Sequence, residues 1–105
     1  MDCLFCKIIN KEVSSDIIYE DDKFLAFKDI NPKAPIHFLI IPKKHITSIN
    51  HLQEEEDKML IGELIFLAKK IAEEKNLDGY QLHINVGRNG GQIIDHLHLH
   101  LLANK

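Results

Sequence analysis

Five consecutive residues near the end of the chain, His96-Leu97-His98-Leu99-His100, constrain its folding more than any other segment. In an extended strand successive side chains point to opposite faces, so the three imidazoles share one face while Leu97, Leu99 and Leu101 share the other. The leucine face calls for burial and the imidazole face is left for chemistry, which makes this a structured strand and not a solvated histidine-rich stretch. Spacing limits that chemistry. At a rise of about 3.3 Å per residue the outer imidazoles stand roughly 13 Å apart along a straight strand, whereas a zinc–nitrogen bond is only about 2 Å. One metal ion can collect two of these rings and hardly all three, so a row of imidazoles dividing the labour of one reaction fits better.

The rest of the chain is ordinary globular material. Its 105 residues are 45% hydrophobic and 28% charged, enough for a single domain, 1–105, whose core buries roughly two-thirds of the unfolded surface. A formal charge of −3 and a pI near 6.1 give no electrostatic reason to expect nucleic acid as a partner, and Lys43-Lys44 and Lys69-Lys70 are too short to be basic patches. No apolar stretch approaches the ~20 residues needed to cross a bilayer, and the opening Met1-Asp2-Cys3-Leu4-Phe5-Cys6-Lys7 lacks the charged lead and apolar run of a signal peptide. A cytoplasmic protein with no membrane contact is expected. In that reducing compartment Cys3 and Cys6, at CxxC spacing, read as free thiols, a metal half-site or a redox pair, and not as a structural disulfide.

The apolar pattern predicts a short helix from Leu4 to Lys11, strands at Ile17 to Glu20 and Phe24 to Lys28 around an Asp21-Asp22-Lys23 turn, and a third strand at Ile36 to Pro42. Between them, Asp29 to Pro35 holds two prolines in four residues and is a loop. From Glu54 to Lys75 the period becomes helical, with Met59, Leu60, Leu64, Leu67, Ala68, Ile71 and Ala72 on the inward stripe and Asn76 and Gly79 as stop signals. Tyr80 to Val86 alternates again as a fourth strand, and Asp95 to Leu102 is the last. The sum is an α+β domain with one long and one short helix and a mainly antiparallel sheet of about five strands.

Glycines at 87, 90 and 91 precede the histidine strand. A backbone free of side chains approaches an anion closely and aims amides at it, although the same glycines serve an ordinary hairpin loop. Followed within five residues by the imidazole row, the loop supplies an anion cradle beside acid/base and nucleophilic groups. A neutral imidazole can carry a phosphoryl group as a labile phosphoramidate. His98, with a neighbour on each side to fix its tautomer, is the candidate nucleophile.

With these residues the chain resembles the histidine triad superfamily of nucleotide hydrolases and transferases, in particular its small Hint branch. The likeness extends from Phe5-Cys6-Lys7-Ile8-Ile9 through Tyr19-Glu20-Asp21-Asp22, Leu25-Ala26-Phe27 and Asp29-Ile30-Asn31-Pro32-Lys33-Ala34-Pro35 to His37-Phe38-Leu39-Ile40-Ile41-Pro42-Lys43-Lys44-His45, Gly90-Gly91-Gln92 and the triad strand itself. The resemblance implies a purine nucleoside phosphoramidase. His98 would attack the α-phosphorus, His96 and His100 would flank it, with His100 near the leaving group, and His37 would join their hydrogen-bond network. Asn85 and the Gly91 amide region, with Gln92, would hold phosphate; Asp29 would accept the ribose hydroxyls; Phe5, Ile8, Phe27, Ile30 and Leu39 would form the apolar slot around the base, although by hydropathy alone they read as core. It further implies a homodimer through the helix at 54–75 and the strand at 80–86, a structural zinc on Cys3, Cys6, His45 and His96, and no catalytic metal.

Two other functions are weighed: hydrolysis of dinucleoside polyphosphates, and a nucleotide-binding interaction protein without significant turnover. The first is disfavoured by a compact chain with no extra loops to grip a larger substrate, the second by retention of all four histidines. His51 and His83 match nothing in the family and read as surface residues. Two departures bear on leaving-group preference. Ile93 stands where many Hint proteins have a hydroxyl residue, and the sequence stops at Lys105 where many continue.

Overall fold

The computed structural model describes residues 3–104. Helix α1 (Leu4–Ile9) is followed by β1 (Ile17–Glu20), β2 (Phe24–Lys28), β3 (Ile36–Pro42), helix α2 (Glu54–Glu74), β4 (Gln81–His83) and β5 (Leu99–Ala103). The five strands form one sheet in the order β1-β2-β3-β5-β4, with every neighbouring pair antiparallel.

Both faces of the central strands are covered, and their burial follows from that, whereas the edge strands β1 and β4 stay largely exposed. In β2, Phe24 and Ala26 join Phe38, Ile40, Leu99 and Leu101 beneath Leu64, Leu67, Ala68 and Ile71 of α2. The intervening Leu25 and Phe27 meet Leu39, Ile41 and, from α1, Phe5 and Ile8 on the opposite face. A strand with both faces covered reads as an unbroken apolar run and not as an alternation. Each large side chain buried this way stabilises the fold by about 1.5–3 kcal/mol.

The turns are locally encoded. Asp21 Oδ1 accepts the N–H groups of Lys23 and Phe24 at 2.8 and 2.7 Å, closing the β1–β2 hairpin. Four acidic residues occupy the first turn of α2, complementing its dipole. One of them, buried Asp57, accepts the Gln53 N–H at 2.7 Å and the Lys44 ammonium at 2.9 Å. At the other end Asn76 takes a positive φ of 58°, while Asn76 N–H donates to Glu73 and Leu77 N–H to Ala72. These are the paired bonds of a Schellman stop.

Three elements and one residue differ from the sequence-based expectation. Helix α1 ends at Ile9, with Lys11 at φ 63°. Strand β4 stops at His83, because Asn85 turns its side chain to donate to the Gly90 carbonyl at 2.9 Å. Strand β5 begins only at Leu99, since Leu97 N–H donates instead to the Ile46 carbonyl at 2.7 Å and the His96 ring takes the Pro42 carbonyl. Met59, expected inside, is 69% exposed. The two faces of the histidine segment nevertheless separate as expected, with Leu99 and Leu101 in the α2 core and the rings on the α1 side.

Candidate active site and metal centre

On the α1 side of the sheet lies a pocket of about 640 Å³ whose floor includes His37 from β3, His98 from the approach to β5, and His100 from β5. The alternation of β5 places His98 and His100 on this face with their ring centroids 4.9 Å apart. Pairing of His37 with Leu102 and of Leu39 with His100 across β3 and β5 brings the His37 ring beside the His100 ring.

Each imidazole is held in one tautomer by a fixed partner. His98 Nδ1 lies 2.7 Å from the His96 carbonyl, an acceptor only, so Nδ1 carries the proton and Nε2 keeps its lone pair. His37 Nδ1 accepts the Lys33 N–H at 3.0 Å, so its proton is on Nε2. That Nε2–H donates to His100 Nδ1 at 2.9 Å and lies 3.3 Å from Asp29 Oδ2. His100 therefore keeps its own proton on Nε2. The chain of partners leaves one nucleophilic nitrogen on His98 and one donor on His100.

Burial keeps these rings neutral. It holds His98 below the usual imidazole range and, with His98 and His37 close by, pushes His100 down to about 4. Burial also lowers His37, against the opposing attraction of Asp29.

The apolar half of the pocket is built by α1 and the sheet. Phe5 and Ile8 face Phe27 and Leu39, with Ile30 at the mouth 85% exposed. The Phe5 ring meets Phe27 edge-on at 5.5 Å and His98 at 5.1 Å. Asp29, on the loop after β2, accepts the Asn31 N–H at 2.9 Å and turns toward the same cavity. Asn85 and Gly91 form the polar end. Gly91 sits at φ 88°, a conformation that favours glycine, and a Cβ there would press on Asn85 Nδ2 at 3.3 Å.

One residue is placed otherwise than its motif suggests, and one that matches no motif proves to line the pocket. Gln92 is buried beneath the glycine loop, where its side chain accepts from Gly87 N–H and donates to the carbonyls of Thr47 and Ile94. It holds the loop's shape and does not line the pocket. His83, expected on the surface, is exposed yet lines the pocket, directly opposite His100 in the β4–β5 pairing. The alternation that put His83 on the face of Asn85 was the available signal. His51 is a surface residue whose Nδ1 is paired with Ser48 Oγ.

A second cluster abuts the first. Cys3 and Cys6 of the N-terminal segment, His45 of the loop after β3, and His96 bring four ligand atoms within 4.8 Å of one another. Cys3 Sγ and Cys6 Sγ lie 3.4 and 3.7 Å from His96 Nδ1, and Cys6 Sγ lies 3.3 Å from His45 Nδ1. A tetrahedral ion bonded at about 2.3 Å to sulfur and about 2.0 Å to nitrogen requires ligand separations of about 3.3–3.8 Å, and these fit. His96 Nε2 donates to the Pro42 carbonyl at 2.8 Å, which aims the Nδ1 lone pair at the thiols. Burial pushes His96 down to about 4, keeping it a neutral ligand. Burial and the neighbouring Cys3 raise the Cys6 thiol to about 11, and a cation in the cluster would reverse that effect. The four residues can hold a metal ion.

Comparison with known proteins agrees with this arrangement. A family profile described as "Scavenger mRNA decapping enzyme C-term binding" matches residues 2–105. The chain is 46% identical over 104 residues to the purine nucleoside phosphoramidase of Escherichia coli K12, covering 97% of this chain and 87% of that one. Among solved structures, a HIT family hydrolase from Legionella pneumophila superposes with a TM-score of 0.94 at 46% identity, over 99% of this chain and 94% of that one. A histidine triad protein from Clostridium difficile gives 0.94 at 45% identity, over 100% and 92%. With a shared fold, near-complete coverage and three clustered imidazoles on one sheet face, the chain belongs to the histidine triad family.

Proposed function

We propose that this protein hydrolyses the P–N bond of purine nucleoside phosphoramidates through a nucleotidyl-histidine intermediate. The observation that carries the reading is the tautomer of His98, whose Nδ1–H is committed to the His96 carbonyl. Its Nε2 is thereby free to attack phosphorus. The base enters the slot of Phe5, Ile8, Phe27, Ile30 and Leu39, and Asp29 accepts the ribose hydroxyls. Asn85 and the Gly91 amide region hold the phosphate oxygens. As the bond from His98 Nε2 to phosphorus forms, the P–N bond breaks at a nitrogen already protonated from solvent, which departs as the neutral amine while its freed lone pair accepts the His100 Nε2–H. The His96 carbonyl stabilises the charge that develops on the His98 ring. Water then attacks the same phosphorus, releases the nucleoside monophosphate and neutral His98, and gives up its proton to solvent. His37 and Asp29 keep His100 in the donor tautomer. Nothing in this sequence of steps calls for a metal.

The Cys3, Cys6, His45 and His96 cluster is read as a structural zinc site, since two thiolates and two imidazoles in a closed tetrahedron suit that ion. The chain is further read as a cytoplasmic homodimer of single-domain subunits. Exposed Phe66 and Met59 on α2 and Leu82 on the edge strand β4 support the dimer, because an open apolar edge is stabilised by a second copy. Among the described residues no helix is long and apolar enough to cross a membrane.

The test is turnover of adenosine phosphoramidate against diadenosine tetraphosphate, read as AMP formed. Preference for the phosphoramidate is expected. Faster cleavage of the dinucleotide would assign the site to polyphosphate hydrolysis, and nucleotide binding without turnover of either would make it a binding module.

A further inference from the structure

The metal cluster and the base slot share α1. Cys3 and Cys6 are the ligands at its start, and Phe5 and Ile8, each two residues after one of them, are the slot wall. This helix has only six residues, too few to hold its shape without tertiary support. On its pocket side it is exposed at Leu4, and the following residues 10–14 are exposed as well. The packing of Phe5 and Ile8 on Phe27 and Leu39 is the apolar anchor, and that surface is the one a nucleobase would share.

The nucleophile is held differently. Leu97 is 1% exposed and its N–H donates to the Ile46 carbonyl, so the peptide that carries the His96 carbonyl, which fixes the His98 tautomer, is held by a buried backbone bond. His96 and His45 are themselves ligands, but the bonds of His96 Nε2 to the Pro42 carbonyl and of Leu97 N–H to the Ile46 carbonyl do not need the metal, so the nucleophile keeps anchors that α1 lacks.

We propose that the metal cluster is a clamp that sets nucleotide affinity: Cys3 and Cys6 are positioning residues for the nucleobase wall, acting through α1 on Phe5 and Ile8. The inference rests on the zinc and nucleotide readings above and extends them. A base wall that is held contributes binding to ground state and transition state alike, so its loosening raises KM and leaves kcat.

The experiment compares zinc-loaded protein with the same protein stripped by a chelator and then reloaded. AMP affinity is read by calorimetry, kcat and KM are read on adenosine phosphoramidate, and metal content is measured on every sample. Stripping is expected to raise the AMP Kd and the KM tenfold or more, with kcat within threefold and full recovery on reloading. An unchanged Kd in metal-free protein, or a loss confined to kcat, overturns the proposal. Should stripping unfold the chain, His45→Asn serves instead, since Cys3, Cys6 and His96 remain. Its AMP Kd should rise in step with the zinc lost, and wild-type affinity in zinc-depleted His45→Asn overturns the clamp. Protein that takes up no zinc overturns the metal reading itself, and this is seen before any nucleotide is added.

Discussion

Replacing His37 by leucine removes the relay that sets the His100 tautomer while keeping a side chain of similar bulk. The His37 side chain is almost wholly buried, at 1% exposure, and serves three partners: Lys33 N–H, His100 Nδ1 at 2.9 Å and Asp29 at 3.3 Å. Lys33 is exposed, so water can replace its lost partner. His100 is partly buried, and its Nδ1, facing the leucine, loses its partner at a cost of up to about 1–3 kcal/mol in stability. The register of β3 is set by its backbone pairing with β2 and β5 and stays. In activity the loss is larger for some substrates than for others. Without the His37 donor, the His100 proton is free to move to Nδ1, and the donor facing the leaving group disappears. One hydrogen bond to a developing charge is worth about 1.5–3 kcal/mol, so kcat/KM for an alkyl amine leaving group should fall roughly 10- to 150-fold. A leaving group that departs without a proton, such as p-nitrophenolate, should lose less than about threefold. Steady-state kinetics on a paired series of adenosine phosphoramidates and phosphate esters measures both. Equal losses across the series would refute the relay and leave His37 a packing residue.

Ile93 lies at the pocket, 80% exposed, and Gln92, whose amide is fully engaged, is in no position to supply a polar contact there. Ile93→Ser should therefore sharpen discrimination among amine leaving groups and raise kcat/KM up to tenfold; unchanged rates and ranking would show that a hydroxyl has no role at this position. For pH, His100 resists protonation until about 4 because of burial and its neighbours His98 and His37, whereas an unfolded imidazole takes a proton near 6.5. The unfolded state thus binds more protons between those values, and urea midpoints should hold above pH 6.5 and fall as pH drops from 6.5 toward 4. The acid limb of kcat/KM should likewise lie below pH 6. Phe66→Glu, on the exposed face of α2, should convert a sedimenting dimer to monomer with little change in Tm extrapolated to low concentration; an unaltered dimer would move the interface elsewhere.

The parts of the fold that were legible in the sequence are those where a single period decides burial. Leu99 and Leu101 alternate with His98 and His100, and each face meets a different neighbour, so pattern alone separates core from site. The run Phe24 to Phe27 was legible as a strand for the converse reason, since both its faces are covered. What escaped depends on individual long-range bonds. Strand β5 starts late because a ring from His96 and a carbonyl from Ile46 compete for the ladder. Met59, expected in the apolar stripe of α2, stands at 3.6 residues per turn about 140° round the helix from Leu64, on the exposed face. The triad rings were legible as a group, their tautomers were not, because the partners are carbonyls and amides that carry no sequence signal. Gln92 belongs to the same class: its motif pointed to phosphate, and its three backbone partners became visible only in three dimensions.

The central claim is that phosphorus is transferred to His98 and then to water, two displacements in line. Hydrolysis of an adenosine phosphoramidate made chiral at the α-phosphorus, carried out in isotopically labelled water, reads this directly as the configuration of the AMP product. Two displacements through the His98 Nε2 predict retention. Inversion would mean that water attacks the substrate itself, and the covalent role of His98 would be wrong.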